Sequence, residues 1–255
     1  MINKVLSAEV QAFIKEHDGD DPFQLSLNYS DVDGVPMPLI SEQISGRQKA
    51  KSKLPSWYAN KRVIFPPRLS MEQCSSEITA NYKASLAQGK TFIDLTGGAG
   101  VDTWALSKVF DNGTYVEQNR ELTSISKSNF KALGATNITI LYSTAEEFLS
   151  DLNDQVDFIY IDPARRDNNK NRVYLLADCL PDITRLLPEL REKAQAVLVK
   201  TSPMMDIDLS ISKLAGIAEV HVVAIDNDCK EVLYMNSPKS SDDIVVKTKN
   251  FTKAR

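Results

Sequence analysis

The chain has 255 residues with a formal net charge of −4, and 42% of its residues are hydrophobic. These values are typical of a globular protein and exclude one that binds nucleic acid through its overall charge, so such binding would need a local patch. Three separated cysteines and only two histidines argue against a disulfide framework and a His-rich metal site. No segment has the hydrophobicity of a signal sequence or a membrane span, so we expect a cytoplasmic protein without membrane or metal partners.

The first 69 residues are predicted to form a small N-terminal helical region. Apolar residues recur at helical spacing over residues 3–17, and a second helix is predicted over 38–54, where Pro55 ends it. A further helix is predicted over residues 70–86, with Ser70 as its N-cap. We therefore divide the chain into an N-terminal region 1–69, a main domain 70–236 and a solvated tail 237–255.

A basic segment closes the N-terminal region. Residues 47–68 contain seven basic residues, no acidic residue and interleaved aromatic residues. This composition fits neutralisation of a nucleic-acid backbone combined with base stacking, and the alternative is that the aromatic residues attach the helices to the core. The predicted nucleic-acid contacts in this segment are Lys49, Lys51, Trp57, Tyr58 and Arg62.

From Thr91 onward, predicted strands and helices alternate. The predicted strands cover residues 91–96, 114–118, 137–143, 156–162, 194–202, 219–226 and 230–236. A helix is predicted between each pair of successive strands except the last pair, which has the spacing of a hairpin. This order predicts an α/β fold with a doubly wound, seven-stranded Rossmann-like sheet, in which the hairpin places one antiparallel strand.

A glycine-rich turn follows the first of these strands, in the sequence TFIDLTGGAGVDT at residues 91–103. The turn lacks the lysine of a phosphate-binding P-loop and the GxGxxG spacing of a dinucleotide site. Asp94 precedes the turn, where its charge would repel a pyrophosphate. S-adenosylmethionine has a sulfonium, an ammonium and a ribose diol but no phosphate, and glycines would let the backbone approach it closely.

The second strand of the series ends in Glu117, 23 residues after Asp94. A carboxylate at this place can accept hydrogen bonds from both ribose hydroxyls of a nucleoside ligand. Because NAD sites use an acid at the same place, Glu117 alone does not discriminate between the two cofactors. Asp94 and Glu117 together favour S-adenosylmethionine, and the alternative is ordinary turn chemistry without a ligand.

With DLTGGAG and Glu117, the sequence resembles the class I S-adenosylmethionine-dependent methyltransferases over about residues 70–236. The resemblance implies a methyltransferase sheet with S-adenosyl-L-methionine as cofactor. Thr96 stands where the family usually has glycine, and the contact to the adenine amine stays open. The implied cofactor-binding residues are Asp94, Thr96, Gly97, Gly98, Gly100, Glu117, Gln118, Thr144, Ala145, Glu146 and Asp162.

Two further motifs narrow the resemblance. EQCSSE at residues 72–77 and DPARR at residues 162–166 make the chain similar to a bacterial group described as RNA-methyltransferase-like. Members of that group often carry a C-terminal domain resembling THUMP, and the present sequence is too short to include one.

The end of the fourth strand, DPARR, is the predicted acceptor side. In the family, this point shapes the acceptor pocket, and amino methyltransferases often have [DNS]PP[YFW] there. DPAR is also similar to the DPPR of uracil-C5 methyltransferases, but those need a cysteine nucleophile, and neither Cys179 nor Cys229 has the expected context. The predicted catalytic residues are Asp162, Pro163 and Arg165, with Asp162 nearest the acceptor and Arg165 positioning the substrate.

The loop after this motif is basic. Its cationic side chains would contact phosphates beside the methyl donor, and the alternative is a solvated loop. The predicted nucleic-acid contacts in it are Arg166, Lys170 and Arg172.

The sequence as a whole favours an S-adenosylmethionine-dependent methyltransferase acting on RNA, with a base of rRNA or tRNA as the acceptor. Two alternatives stay open. One is a methyltransferase for a small molecule or a protein side chain, which the negative net charge favours slightly. The other is a non-catalytic module that binds the cofactor or RNA. The oligomeric state is not indicated by the sequence.

Overall fold

A computed structural model describes residues 2–164, 175–237 and 243–252 of the chain. The N-terminal region is helical, as predicted, but it has more and shorter helices than the apolar pattern indicates. Its helices are α1 (Ile2–Val5), α2 (Ala8–Glu16), α3 (Pro22–Asn28), α4 (Met37–Lys53) and α5 (Pro55–Ala59). Two short strands, β1 (Asp31–Val32) and β2 (Val35–Pro36), pair between α3 and α4.

Two of the predicted helix limits are informative. The predicted helix over residues 3–17 is divided by Ser7, whose side chain accepts a hydrogen bond from the backbone of Val10 and caps α2. The helix predicted over residues 38–54 ends before Pro55, as expected. Pro55 then begins α5 instead of a loop, because proline is favoured in the first turn of a helix.

The helix predicted over residues 70–86 is in fact two helices, α6 (Arg68–Gln73) and α7 (Glu77–Leu86). Ser70 lies inside α6, so its prediction as an N-cap is wrong. The cap is Ser76, whose Oγ accepts a hydrogen bond of 3.2 Å from the backbone of Thr79. Cys74 and Ser76 are both extended, and this break separates α6 from α7.

The main sheet contains the seven predicted strands and one more. The strands are β3 (Thr91–Asp94), β4 (Asn112–Glu117), β5 (Ile138–Tyr142), β6 (Val156–Ile161), β7 (Ala194–Thr201), β8 (Ile217–Ile225), β9 (Asp228–Asn236) and β10 (Val245–Phe251). Their order across the sheet is β10-β8-β9-β7-β6-β3-β4-β5. Within the described residues, the strand pairs of this sheet that involve β9 are antiparallel and the others are parallel, which confirms the Rossmann-like sheet with one antiparallel strand from the hairpin.

Strand β10 corrects the prediction of a solvated tail over residues 237–255. Residues 245–251 pair in parallel with β8 at the outer edge of the sheet. Their side chains are mostly exposed, which is why the sequence resembles a solvated segment. Residues 238–242 and 253–255 lie outside the described part of the chain.

The helices that cover the sheet are α8 (Val101–Leu106), α9 (Arg120–Ala132), α10 (Ala145–Asp151), α11 (Ile183–Lys193) and α12 (Ile207–Lys213). Helix α9 ends just before Gly134, which has a φ of 75° and provides the predicted stop. None of the helices in the described residues is both long enough and apolar enough to cross a bilayer.

The core lies on both faces of the sheet, as a doubly wound fold requires. Phe92 on β3 belongs to the apolar cluster on one face, and its neighbour Ile93 belongs to the cluster on the other. Trp57 is fully buried in the same cluster as Phe92, so α5 packs directly against the main domain. A third cluster, which includes Val10 and Ile40, holds the N-terminal helices together.

Candidate active site

A cleft of about 850 Å³ opens at the carboxyl ends of the parallel strands. Its walls are formed by the segments that follow β3, β4, β5, β6 and β7, together with α6. Ligands of open α/β sheets bind at this edge. The predicted site residues that line the cleft are Thr96, Gly97, Gly98, Gly100, Glu117, Gln118, Thr144, Ala145, Glu146, Asp162 and Pro163.

Asp94 is the exception among the predicted cofactor residues. It is only 1% exposed and does not line the cleft. One carboxylate oxygen accepts a hydrogen bond from the backbone of Thr96 at 3.0 Å, and the other accepts one from Thr103 Oγ1 at 2.6 Å. Burial raises the pKa of Asp94 to about 7. The structure therefore corrects the predicted contact with a cofactor: Asp94 supports the glycine turn from beneath.

Packing explains two of the three glycines in the turn. A Cβ at Gly97 would lie 2.2 Å from the ring of Tyr115, and one at Gly100 would lie 2.8 Å from the ring of Phe130. Gly98 has a φ of 52° and no such obstruction. All three glycines line the cleft, and Gly97 and Gly100 also allow the close approach of aromatic rings from the protein side.

Glu117 lies at the end of β4 and joins that strand to the glycine turn. Its Oε2 accepts a hydrogen bond from the backbone of Gly98 at 2.8 Å, and its Oε1 accepts one from Asn119 at 2.7 Å. Burial raises the pKa of the Glu117 carboxyl above its ordinary value. Each carboxylate oxygen has a second lone pair, so Glu117 can also accept hydrogen bonds from hydroxyl groups in the cleft.

Asp162 is fixed by two contacts. Its backbone N–H donates to Thr96 Oγ1 at 2.7 Å, which ties the end of β6 to the glycine turn. Its Oδ2 forms an ion pair with the ammonium of Lys200 at the end of β7. Burial alone would lower the pKa of Lys200, but nearby carboxylates, with Asp162 first among them, raise it above its ordinary value.

Sequence reasoning missed Lys200, which lines the cleft beside Asp162. It lies in a predicted buried strand, where a lysine without a partner is unfavourable. A lysine at a predicted buried position is the sequence feature that could have indicated Lys200 as a site residue.

A buried ion network supports the same end of the cleft. Lys83 Nζ contacts both carboxylate oxygens of Glu231, at 2.7 and 2.8 Å, and Asp102 Oδ1 at 3.1 Å. Asp102 Oδ2 accepts hydrogen bonds from Ser75 at 2.8 Å and Tyr160 at 3.1 Å. Although burial opposes ionisation, Lys83 leads the groups that lower the pKa of Asp102. Ser75 gives the EQCSSE motif a structural role that the sequence alone does not reveal.

Helix α6 forms part of the cleft wall. Lys53 Nζ donates to the carbonyl oxygens of Met71 and Glu72, at 2.9 and 3.0 Å. The Glu72 carboxylate accepts hydrogen bonds from Lys49 at 2.7 Å and Arg68 at 2.9 Å, which lower its pKa to about 2. The basic segment therefore holds α6 in place.

These contacts change the predicted nucleic-acid surface. Trp57 is fully buried, edge-on to Trp104 with ring centroids 6.0 Å apart, so the prediction that it stacks on a base is wrong. Tyr58 donates a hydrogen bond of 2.6 Å to Asp18, and Lys49 is paired with Glu72.

The other predicted contacts fall into two groups. Lys51 and Arg62 are exposed, as a surface contact requires. The predicted residues Arg165, Arg166, Lys170 and Arg172 lie outside the described residues.

The strand order and the cleft define a Rossmann-like protein with the architecture of class I methyltransferases. The chain belongs to the family described as Conserved hypothetical protein 95, whose model matches residues 73–207. It is similar to the crystal structure of a proposed methyltransferase from Porphyromonas gingivalis W83, with 32% sequence identity and a TM-score of 0.76. That similarity covers 91% of this chain but 57% of the Porphyromonas chain, so this chain spans little more than half of that protein.

Two other structures are more distant. A conserved hypothetical protein from Streptococcus pyogenes has 19% identity and a TM-score of 0.44, covering 59% of this chain and 88% of its own. A SAM-dependent methyltransferase from Agrobacterium tumefaciens has 17% identity and a TM-score of 0.46, covering 64% of this chain and 61% of its own. Neither similarity is strong enough to carry an argument about function. No curated protein matches the chain.

Proposed function

We propose that the protein is an S-adenosylmethionine-dependent methyltransferase that acts on RNA, with a base of rRNA or tRNA as the acceptor. One observation carries the donor part of this proposal: Glu117 and Asp162 line a single cleft around a glycine turn that has no basic side chain. Such a site favours a nucleoside without phosphate groups. The similarity to the proposed methyltransferase from Porphyromonas gingivalis supports the same reaction class.

The cleft fits this donor in size and chemistry. Its volume of about 850 Å³ lies within the usual range of small-molecule sites. Glu117 would accept hydrogen bonds from the ribose hydroxyls, and the segment 143–146 would border the adenine. S-adenosylmethionine supplies a methyl group made electrophilic by its sulfonium.

The acceptor side is built for alignment, which is the main requirement of a displacement reaction. Asp162 would accept a hydrogen bond from the acceptor group and hold it in line with the donor. Lys200 fixes one oxygen of Asp162, and Thr96 fixes its backbone. Pro163 restricts the backbone immediately after Asp162. Arg165 would position the substrate, as the sequence suggests.

The choice of RNA as substrate rests on exposed basic residues of the N-terminal region and on apolar residues of the cleft. Lys51, Lys61, Arg62 and Arg68 are exposed and belong to the segment that holds α6. Leu69 and Met204, which are 49% and 65% exposed, line the cleft and offer apolar contact to the face of a base. Together they provide charge for a phosphate backbone and an apolar mouth for an unstacked base.

A small-molecule or protein substrate is the second candidate. It is favoured by the burial of Trp57 and the pairing of Lys49, which remove two of the predicted RNA contacts. The net charge of −4 acts in the same direction.

Labelled methyl transfer separates these candidates. The wild-type protein is titrated calorimetrically with S-adenosylmethionine and is then incubated with labelled donor and RNA from a strain that lacks the protein. We expect donor binding and label in one modified nucleoside, identified by mass spectrometry. Label that enters protein or small molecules instead of RNA would favour the second candidate, and absence of donor binding would refute the proposal.

The role of Asp162 is tested by Asp162→Ala. This variant should bind the donor within about threefold of wild type and transfer no methyl group, because it loses alignment of the acceptor. Asp157→Asn is the matched control, since Asp157 binds backbone amides at the opposite end of β6. Full activity of Asp162→Ala would show that the assigned role is wrong.

A further inference from the structure

We propose that Asp102, and not Asp94, binds the α-ammonium of the donor's amino-acid portion. This inference rests on the proposed function. Asp102 directly follows the glycine turn and lines the cleft, whereas Asp94 does not. Sequence reasoning assigned the acid before the turn to the donor and gave no role to the acid after it.

The carboxylate of Asp102 is held in place and has acceptor capacity left. Ser75 and Tyr160 both donate to Oδ2, and Lys83 lies 3.1 Å from Oδ1. Oδ1 is buried and, among the described residues, has Lys83 as its ion-pair partner but no hydrogen bond of normal geometry. The side chain retains 13% of its surface exposed at the cleft wall. A cation in the cleft would approach this fixed carboxylate through the part of the side chain that stays exposed.

The two acids differ in charge as well as in position. The pKa of Asp102 is lowered, with Lys83 as the leading favourable charge against the effect of burial, so Asp102 is ionised at neutral pH. Burial raises the pKa of Asp94 to about 7, and both of its oxygens are engaged inside the turn. Of these two acids, only Asp102 both lines the cleft and carries a full negative charge.

Charges of both signs surround Asp102. Four carboxyl groups raise the pKa of the Tyr160 hydroxyl beneath the cleft, after the larger effect of burial; they belong to Asp94, Asp102, Asp162 and Glu231. Three lysines face this group: Lys83 and Lys200 act on Asp102, and Lys53 lies near Lys200. An ammonium from the donor would add a positive charge and three hydrogen-bond donors, whereas a sulfonium has none.

A thermodynamic cycle tests this assignment. Calorimetry compares S-adenosylhomocysteine with 5′-deoxy-5′-(3-carboxypropylthio)adenosine, which lacks only the ammonium. Wild-type protein should bind S-adenosylhomocysteine at least tenfold more tightly, as expected for a charge-assisted hydrogen bond. Asp102→Asn should reduce this preference to less than about twofold, with unchanged affinity for the deamino compound, because the coupling between the two groups is removed.

Asp94→Asn is the matched control and should keep the wild-type preference. A loss of preference in Asp94→Asn but not in Asp102→Asn would overturn the inference, and so would equal weakening of both compounds by Asp102→Asn, which indicates a purely structural role. If Asp102→Asn does not fold, equal binding of the two compounds by wild-type protein refutes ammonium recognition, and loss of the preference in Asp94→Asn refutes the choice of Asp102. Wild-type protein that binds neither compound refutes the proposed function itself, and this inference with it.

Discussion

The glycine turn and the buried ion network support the same cleft by different means. In the turn, Asp94 binds Thr96 and Thr103, two and nine residues away in the chain. In the network, Lys83 binds Glu231, 148 residues away. Asp94 thus acts on its neighbours in sequence, whereas the network joins distant elements of the fold. Short-range contacts of Asp94 fix the turn from within, and a long-range ion pair joins α7 to β9.

The largest expected effect comes from breaking the network with Lys83→Met. Glu231 and Asp102 would then lose their common partner while Glu231 remains buried. We expect the free energy of unfolding to fall by about 3–5 kcal/mol, measured by urea denaturation. Lys247→Met, which removes an exposed pair with Glu219, is the control and should change stability by about 0–1 kcal/mol. Similar effects for both variants would contradict a special role of the buried network.

The next effect concerns how the contribution of Asp94 to protein stability depends on pH. Because burial raises the pKa of Asp94 to about 7 from 3.8, the folded protein binds this proton more tightly than the unfolded chain. The contribution of Asp94 to stability is therefore greatest at low pH and is lost as pH rises through 7. Asp94→Asn, which cannot ionise, should gain about 2–3 kcal/mol relative to wild type between pH 5 and pH 8.

Urea denaturation at several pH values measures this difference. Asp157→Asn provides the control, because hydrogen bonds from backbone amides, led by Lys90, lower the pKa of Asp157. Its stability relative to wild type should not rise between pH 5 and pH 8. A difference between Asp94→Asn and wild type that stays constant with pH would show that Asp94 is not protonated in the folded state.

A smaller effect tests whether packing or a ligand requires Gly97. Gly97→Ala should destabilise the protein by about 1–3 kcal/mol even without ligand, because its Cβ would collide with the ring of Tyr115. In a protein that already carries Tyr115→Leu, the loss of stability caused by Gly97→Ala should be smaller, by about 0.5 kcal/mol or more. Equal costs in both backgrounds, measured by denaturation, would mean that the ring is not the cause.

The smallest effect concerns the contact that joins the donor and acceptor sides. Thr96→Val removes the hydroxyl that accepts the backbone N–H of Asp162, and we expect a loss of about 1 kcal/mol in stability. Thr96→Ser keeps the hydroxyl and should lose less. If Ser and Val variants are equally destabilised in thermal or urea unfolding, the methyl group and not the hydrogen bond is responsible.

The sequence predicted what depends on local patterns. Alternating strands and helices indicated the Rossmann-like sheet, and the hairpin spacing indicated the antiparallel strand β9. Glu117 and Asp162 could be placed at the cleft because each ends a strand of a parallel sheet.

The missed features depend on distance or on the absence of a pattern. The partner of Lys200 lies 38 residues away, and no local spacing indicates that they meet. Strand β10 is exposed along most of its length, so it lacks the apolar periodicity that reveals a strand. The sequence does not decide the place of Trp57, because an aromatic residue among basic residues can either stack on a base at the surface or pack in the core.

Helix α6 has a consequence for the choice of fragments. The family match begins at residue 73, yet the cleft wall already begins at Leu69 and is fastened by the ammonium of Lys53. A fragment cut at the start of the matched region would lack Leu69 and Ser70 from one wall and the lysine that fastens it. A fragment that keeps this cleft intact therefore has to begin well upstream of residue 73, where the family match starts.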